Sequence, residues 1–244
     1  MPQAASASGI SRLEAIFHMS GPLWAVSMTI IIVQDYDDCH SGAESEAKGG
    51  EQVMAKEVRD RMVDGAMVLL GRRGLHATSF SEVLAATGAP RGSLYHHFPA
   101  GKDQLMAAAV DRAGAVLVDA LERCAGARAD AVVAQFLAIW RAVLTRSACE
   151  AGCAVLAVTV ATDSAELLSH ATAVFRAWRE RLADLLEQGG LGPAQARSFA
   201  LMLIASAEGA VVLSRADHGI EPFEAVAQQL LEQVGRMLPP EAAA

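Results

Sequence analysis

The densest group of side chains able to do chemistry lies in "TGAPRGSLYHHFPAGKDQL", residues 87–105, where Arg91, Ser93, Tyr95, His96, His97 and Lys102 crowd between two glycine-marked breaks. Three chemistries use such residues: a metal centre, a hydroxyl nucleophile, or a surface that grips nucleic acid. Adjacent histidines on a helix point roughly 100° apart, whereas a one-face zinc pair needs i, i+4 spacing. No carboxylate or cysteine at useful spacing joins them. Ser93 lacks the strand-to-helix elbow that exposes a nucleophile in hydrolases. No catalytic residue, metal or cofactor is therefore expected, and the surface reading leads.

The flanking elements decide how these residues are presented. In "KEVRDRMVDGAMVLLGRR", residues 56–73, Val58, Met62, Ala66, Leu69 and Leu70 recur at helical spacing along one face. Gly74 then sits where a left-handed C-terminal cap is expected. Thr78 or Ser79 can cap the next short helix, with Glu82 three residues after Ser79 as in a capping box. That helix ends at Gly88. Pro90 suits an early position of a third helix, because its missing N–H costs nothing there. Leu94 and Phe98, four apart, should face inward and leave Arg91, Gly92, Ser93, Tyr95 and His96 outward. Two short helices joined by a tight turn make a helix-turn-helix over about 79–98, whose second helix would lie in a DNA major groove.

This run resembles the TetR/AcrR family of transcriptional repressors, whose signature ends in G-x-x-x-G-x-x-Y-x-H-F. Gly88, Gly92, Tyr95, His97 and Phe98 stand in that register, with Lys102 and Leu105 following. The match spans about fifty residues. Leu84 in place of a common Ala, and one extra residue in "FPAGKDQL", are similar to the branch of lincomycin-resistance and flavonoid-responsive repressors. The resemblance implies an all-α fold: a helix-turn-helix domain over 54–103 and a helical ligand-binding and dimerisation domain over 104–240. It also implies a homodimer held by the last two long helices, binding a palindromic double-stranded operator and released by a small hydrophobic effector.

Candidate DNA contacts follow. Arg91 can reach guanine O6/N7 or a phosphate, and Ser93 either base edge. Gly92 permits close approach to the groove, with simple packing as the plainer alternative. Thr78 or Ser79 can bond a phosphate at a helix N-terminus, or merely cap it. Pro90, Tyr95, His96 and Lys102 complete the set on the backbone side, while His97 is expected to pack within the domain.

Charge distribution agrees with one small module meeting phosphate. Of the 20 Lys and Arg and 28 Asp and Glu, residues 1–53 hold 2 and 7, residues 54–103 hold 7 and 5, and residues 104–244 hold 11 and 16. Only the middle segment is basic. The four cysteines, Cys39, Cys124, Cys149 and Cys153, have no disulfide-scaffold pattern and suggest a reducing cytoplasm. Cys149 and Cys153 are four apart, a spacing that would put two thiols on one helix face. The apolar run "GPLWAVSMTIIIV", residues 21–33, is short of the roughly 20 residues a bilayer needs and lacks the lead and cleavage site of a signal peptide. Residues 41–52 have a linker's composition. Residues 1–53 are expected to be a disordered or over-called extension, with regular structure from Met54. No membrane association is expected, although tethering through 21–33 is a weaker alternative.

Beyond Asp103, helices are expected near 103–125, 128–147, 152–161, 164–188, 193–215 and 222–238, cut at "GARAD", "EAG", "ATDS", "GGLGP" and "DHGIEP". Phe136, Trp140, Cys153, Leu156, His170, Phe175, Trp178 and Met202 are candidates for an effector pocket, which should be largely apolar with a few polar groups. A TetR-like module without DNA binding, acting on ligand or protein partners, is the competing function.

Overall fold

The computed structural model describes residues 50–238, and the expected N-terminal extension, the apolar run at 21–33 and Cys39 lie outside them. Nine helices and no strand are present among the described residues: α1 (Gly50–Ala77), α2 (Phe80–Thr87), α3 (Arg91–His97), α4 (Lys102–Glu122), α5 (Ala129–Arg146), α6 (Ala154–Ala161), α7 (Ala165–Gln188), α8 (Pro193–Asp217) and α9 (Glu221–Met237). Helix α1 begins inside the stretch read as a linker. At its far end Gly74 takes φ 77°, ψ 177°. This is extended backbone of positive φ, not a left-handed cap, and helical geometry resumes to Ala77.

The expected apolar face of α1 is the buried one: Met62, Ala66, Leu69 and Leu70 are enclosed and Val58 is half-buried. That face packs on α4 and α6 as well as on α2 and α3. One continuous core therefore runs from Met62 to Leu238, and the two expected domains meet without an intervening linker. Arg112 of α4 reinforces the junction, reaching Asp60 at 3.2 Å and Asp64 at 3.5 Å on α1.

Side-chain caps and prolines mark several of the boundaries. Ser164 Oγ accepts from Leu167 N–H at 3.4 Å to start α7. Pro193 and Pro222 occupy first-turn positions of α8 and α9. Helix α4 ends earlier than its apolar period suggests, because residues 123–126 form turns leading into Gly126 at φ 77°. Helices α4 and α7 cross closely at Gly114, where an added Cβ would lie 2.8 Å from a Val174 methyl, and where Trp178 Nε1–H donates to the Gly114 carbonyl at 3.1 Å. Arg141 on α5 grips Glu224 on α9 through two hydrogen bonds of 2.6 and 2.8 Å. Helix α8 is long and apolar enough to cross a bilayer by length and composition, yet its inner face is a core face packed on α7 and α9.

Candidate nucleic-acid interface and regulatory cavity

The first short helix, α2, is fixed at both ends. Ser79 Oγ accepts from Glu82 N–H at 3.2 Å, the first half of the expected capping box. The reciprocal half is absent, since the Glu82 carboxylate pairs with Arg73 instead. Gly88 terminates α2 in the left-handed region, φ 63°, ψ 12°, its N–H donating to the Leu84 carbonyl at 3.0 Å. Pro90 then stands as the cap residue of α3, one place before the helix proper, and its carbonyl accepts from Ser93 N–H.

Helix α3 is fastened by Leu94 and Phe98, both enclosed, and the guanidinium of Arg59 lies 5.6 Å from the Phe98 ring. Arg91, Gly92, Tyr95 and His96 are exposed, as the spacing requires, whereas Ser93, expected outward with them, is half-buried. The Tyr95 side chain is 71% exposed, with its ring edge-on to Phe80 at 6.3 Å. A Cβ added to Gly92 would touch nothing within 4 Å. Internal packing therefore gives no reason for that glycine, and its bare backbone faces solvent. No acidic residue lies on α3. Half-buried His97 packs between His96 and Phe98. Partial burial, with His96 and Arg59 nearby, lowers its pKa and favours the neutral ring.

Two candidate contacts need correction. Thr78 is fully buried and its hydroxyl donates to the Gly74 carbonyl at 2.8 Å, bridging the irregular turn. Its side chain cannot reach a phosphate from there. Lys102 turns inward, Nζ donating to the Leu75 carbonyl at 2.9 Å, and so ties the start of α4 to the end of α1.

In the larger bundle, a cavity of about 90 Å³ lies between α1, α4, α5, α7 and the α5–α6 connection. Of the eight expected pocket residues it collects Trp140, Cys153 and Trp178. The other five are placed elsewhere. Phe136 is wholly enclosed in the core. Leu156 and Phe175 line an open groove beside the exposed face of α8, and Met202 lines another between α8 and α9. His170 faces outward from α7 and pairs with Asp111 of α4 at 2.9 Å. Residues missed from sequence include Met67, Val68 and Gly71 of α1. They fall outside the apolar face read for α1, and nothing local shows that they border a cavity of the larger bundle.

The cavity wall is also a joint between units. Gly152 N–H donates to the Gly71 carbonyl at 2.9 Å, and Arg215 at the end of α8 donates to the same carbonyl at 3.2 Å and to that of Arg72 at 2.9 Å. A Cβ on Gly71 would lie 2.7 Å from the Gly152 carbonyl oxygen. The connection reaches this position through two successive left-handed residues, Ala148 at φ 50° and Cys149 at φ 62°. Cys149 and Cys153 therefore do not share a helix face: one lies in the turn, and the other caps α6 by accepting from Leu156 N–H. Behind Cys153, Glu208 of α8 is 7% exposed, and neither carboxyl oxygen accepts a conventional hydrogen bond. Burial pushes its pKa up to about 7, and the weakly donating Cys153 thiol is the polar group beside it. The thiol itself is pushed well above its usual range by burial and by the Glu208 charge.

The chain as a whole is similar to known regulators. Residues 62–109 match the bacterial regulatory protein, tetR family, and residues 129–229 match the LmrA/YxaF-like transcriptional regulator C-terminal domain. A helix-turn-helix-type transcriptional regulator of Mycobacterium tuberculosis is 35% identical over 181 residues, covering 70% of this chain and 91% of that protein. The regulator LmrA of Bacillus subtilis is 26% identical over 165 residues, covering 64% and 85%. A TetR transcriptional regulator from Chloroflexus aurantiacus superposes with a TM-score of 0.62 at 28% identity, covering 76% of this chain and 98% of that one. The chain belongs to the TetR family of transcriptional regulators. It is a DNA-binding regulator of the LmrA/YxaF-like type, not an enzyme.

Proposed function

We propose that the protein is a homodimeric repressor that leaves a palindromic operator when a small hydrophobic effector fills the cavity beside α1. The observation that carries the DNA half of this reading is the outward face of α3: Arg91, Tyr95 and His96 exposed, no acidic neighbour on the helix, and a glycine whose missing side chain nothing inside the protein requires. Ser79 and Pro90 flank it at helix starts, where backbone N–H groups favour phosphate. One such helix covers few base pairs, so two held about 34–36 Å apart are needed to read successive major grooves. The exposed apolar residues of α8, Leu201, Val212 and Leu213, supply the surface for a partner, with α9 beside them.

The effector half rests on the joint. An occupant of the cavity touches Gly71 and Gly152 directly, so a ligand that fits better when these separate favours the state with displaced recognition helices. Ligand and operator then oppose each other reciprocally. Such a protein works in the cytoplasm, where operator DNA is. Operator binding by Arg91→Ala and Tyr95→Ala, each checked as an intact dimer by light scattering, tests the assignment. Loss of sequence-specific binding in both supports it, and undiminished binding in both rejects it. The alternative of a module that does not bind DNA predicts an affinity independent of salt, whereas real phosphate contacts weaken steeply as salt rises.

A further inference from the structure

A second concavity, of about 700 Å³, opens between the α1–α2 pair, the turn after α5 and the end of α8. It shares only Val68 with the cavity described above. Part of its lining is apolar, supplied by Gly65, Val68 and Leu69 of α1 and by Ala85 and Ala86 of α2. The rest is polar and basic. Arg72, Arg73 and Arg215 stand against Glu82 and Glu150, an excess of one positive charge in a chain whose formal net charge is −8.

Two of the three guanidiniums have no acidic partner. Arg73 is paired with Glu82. Among the described residues, Arg215 donates only to the backbone carbonyls of Gly71 and Arg72, at 3.2 and 2.9 Å, so its charge is held in place without being neutralised. Those bonds occupy two of the N–H donors of a guanidinium and leave the others free. The exposed Arg72 side chain makes no hydrogen bond or ion pair among the described residues, and its own carbonyl is what holds Arg215 beside it. Like charges gathered at one cleft repel. Glu150, which also has no ion pair among the described residues, offsets only one of them.

A monoanion balances that excess. A bare inorganic anion would leave the apolar part of the lining facing water, whereas an organic acid covers it. The volume falls within the roughly 300–1,000 Å³ of small-molecule sites. No aromatic ring except the His218 imidazole lines the cleft, so an aliphatic body suits it better than a stacking one. A carboxylate matches the planar fork of a guanidinium.

We propose that this cleft is a second small-molecule site, taking an aliphatic carboxylate whose head pairs with Arg72 and Arg215 and whose chain lies on Val68, Leu69, Ala85 and Ala86. The bound acid joins α1 and α2 to the end of α8. The site stands independently of the effector reading above, because its residues and its ligand chemistry differ.

The probes are hexanoate and hexan-1-ol, equal in chain length and differing in the charge of the head. Each is titrated into the full chain without DNA at neutral pH, and dissociation constants are taken from NMR shifts. Hexan-1-ol should bind about tenfold or more weakly than hexanoate, the scale of losing hydrogen bonds to charged groups. Added salt should weaken hexanoate alone. Arg72→Gln should weaken hexanoate about fivefold, as for one ion pair partly in water, and change hexan-1-ol by less than about twofold. Arg123→Gln removes the same charge from an exposed position outside the cleft and should leave hexanoate within about twofold. Ala85→Trp fills the apolar side from an exposed position on α2 and should abolish binding of both probes. Equal affinity for the two probes, no binding of hexanoate at millimolar concentration, or hexanoate binding unchanged by Arg72→Gln or by Ala85→Trp would overturn the assignment. The two variants act separately, so either decides if the other fails to fold. Should Arg72→Gln weaken operator binding while hexanoate never binds, Arg72 is a DNA-phosphate contact and the ligand site is rejected, with the regulator reading intact.

Discussion

At the residue scale, what separates a DNA contact from a structural polar group is where its hydrogen bonds already go. Thr78 and Lys102 have the right chemistry for phosphate, but backbone carbonyls at Gly74 and Leu75 engage them. Arg91 and Tyr95 are exposed. Gly92 gives the sharpest test, because its role predicts opposite effects on fold and function. A Cβ at Gly92 meets no atom of the protein within 4 Å and Gly92→Leu replaces a poor helix former, so thermal stability should hold or rise by a few tenths of a kcal/mol. Operator affinity, read by gel shift, should fall by about tenfold or more, the scale of one lost base contact. Glu208 makes a second test at this scale. Its pKa is raised from 4.5 to about 7, so the folded chain binds that proton more tightly than the unfolded one. The stabilisation is complete below the unfolded value and is lost as pH rises through about 7, by at most about 3 kcal/mol. Glu208→Gln should therefore raise the melting temperature at pH 8 much more than at pH 5. An equal change at both pH values would remove Glu208 as the cause.

At the element scale, much of the fold is legible in the sequence and the joints are not. The ends of α5 to α9 fall within two or three residues of where glycines, prolines and apolar periods place them, because each cut is made by a local signal. Leu94 and Phe98 are buried and their polar neighbours exposed for the same reason: a four-residue spacing fixes which side of α3 faces in. Burial of Thr78 depends on the extended backbone at Gly74, which no spacing rule predicts. The cavity depends on which helices pack together, so only three of its members, all aromatic or thiol side chains near the bundle centre, were within reach of sequence reasoning. The junction at Gly71 is of the same kind, three elements distant in sequence sharing one carbonyl. Arg215→Ala removes two of its hydrogen bonds, one of them to Gly71 of the cavity wall, without changing a residue of α3 or of the cavity lining. Operator affinity should change little, while the ligand-induced loss of affinity should shrink several-fold, within the 1–3 kcal/mol typical of coupling between sites. Unchanged release, measured by operator binding with and without ligand, would show that coupling runs elsewhere.

At the scale of the whole molecule, an acidic chain must bind a polyanion. The formal net charge is −8, so long-range attraction cannot come from the molecule as a whole, and a single basic module has few cations to offer. The proposed pairing of two modules would solve this, since the second makes its contacts with the first already bound and its effective concentration is high. In the proposed homodimer the pairing face would then determine affinity without being the surface that reads DNA. Leu201 is 52% exposed, Val212 50% and Leu213 55%, on a helix whose opposite side is core. A charge in the middle of such a face would be buried unpaired on association. Val212→Arg should therefore yield a folded monomer, with helical content and cooperative melting retained because the side chain faces solvent within one subunit. Operator binding should weaken by about 100-fold or more, the lower end of the gain that linked sites provide. Its salt slope should fall to about half, because each subunit contributes its own phosphate contacts. A monomer by sedimentation that binds the full palindrome with undiminished affinity and slope would break the link between pairing and recognition, and with it the symmetric reading of the operator.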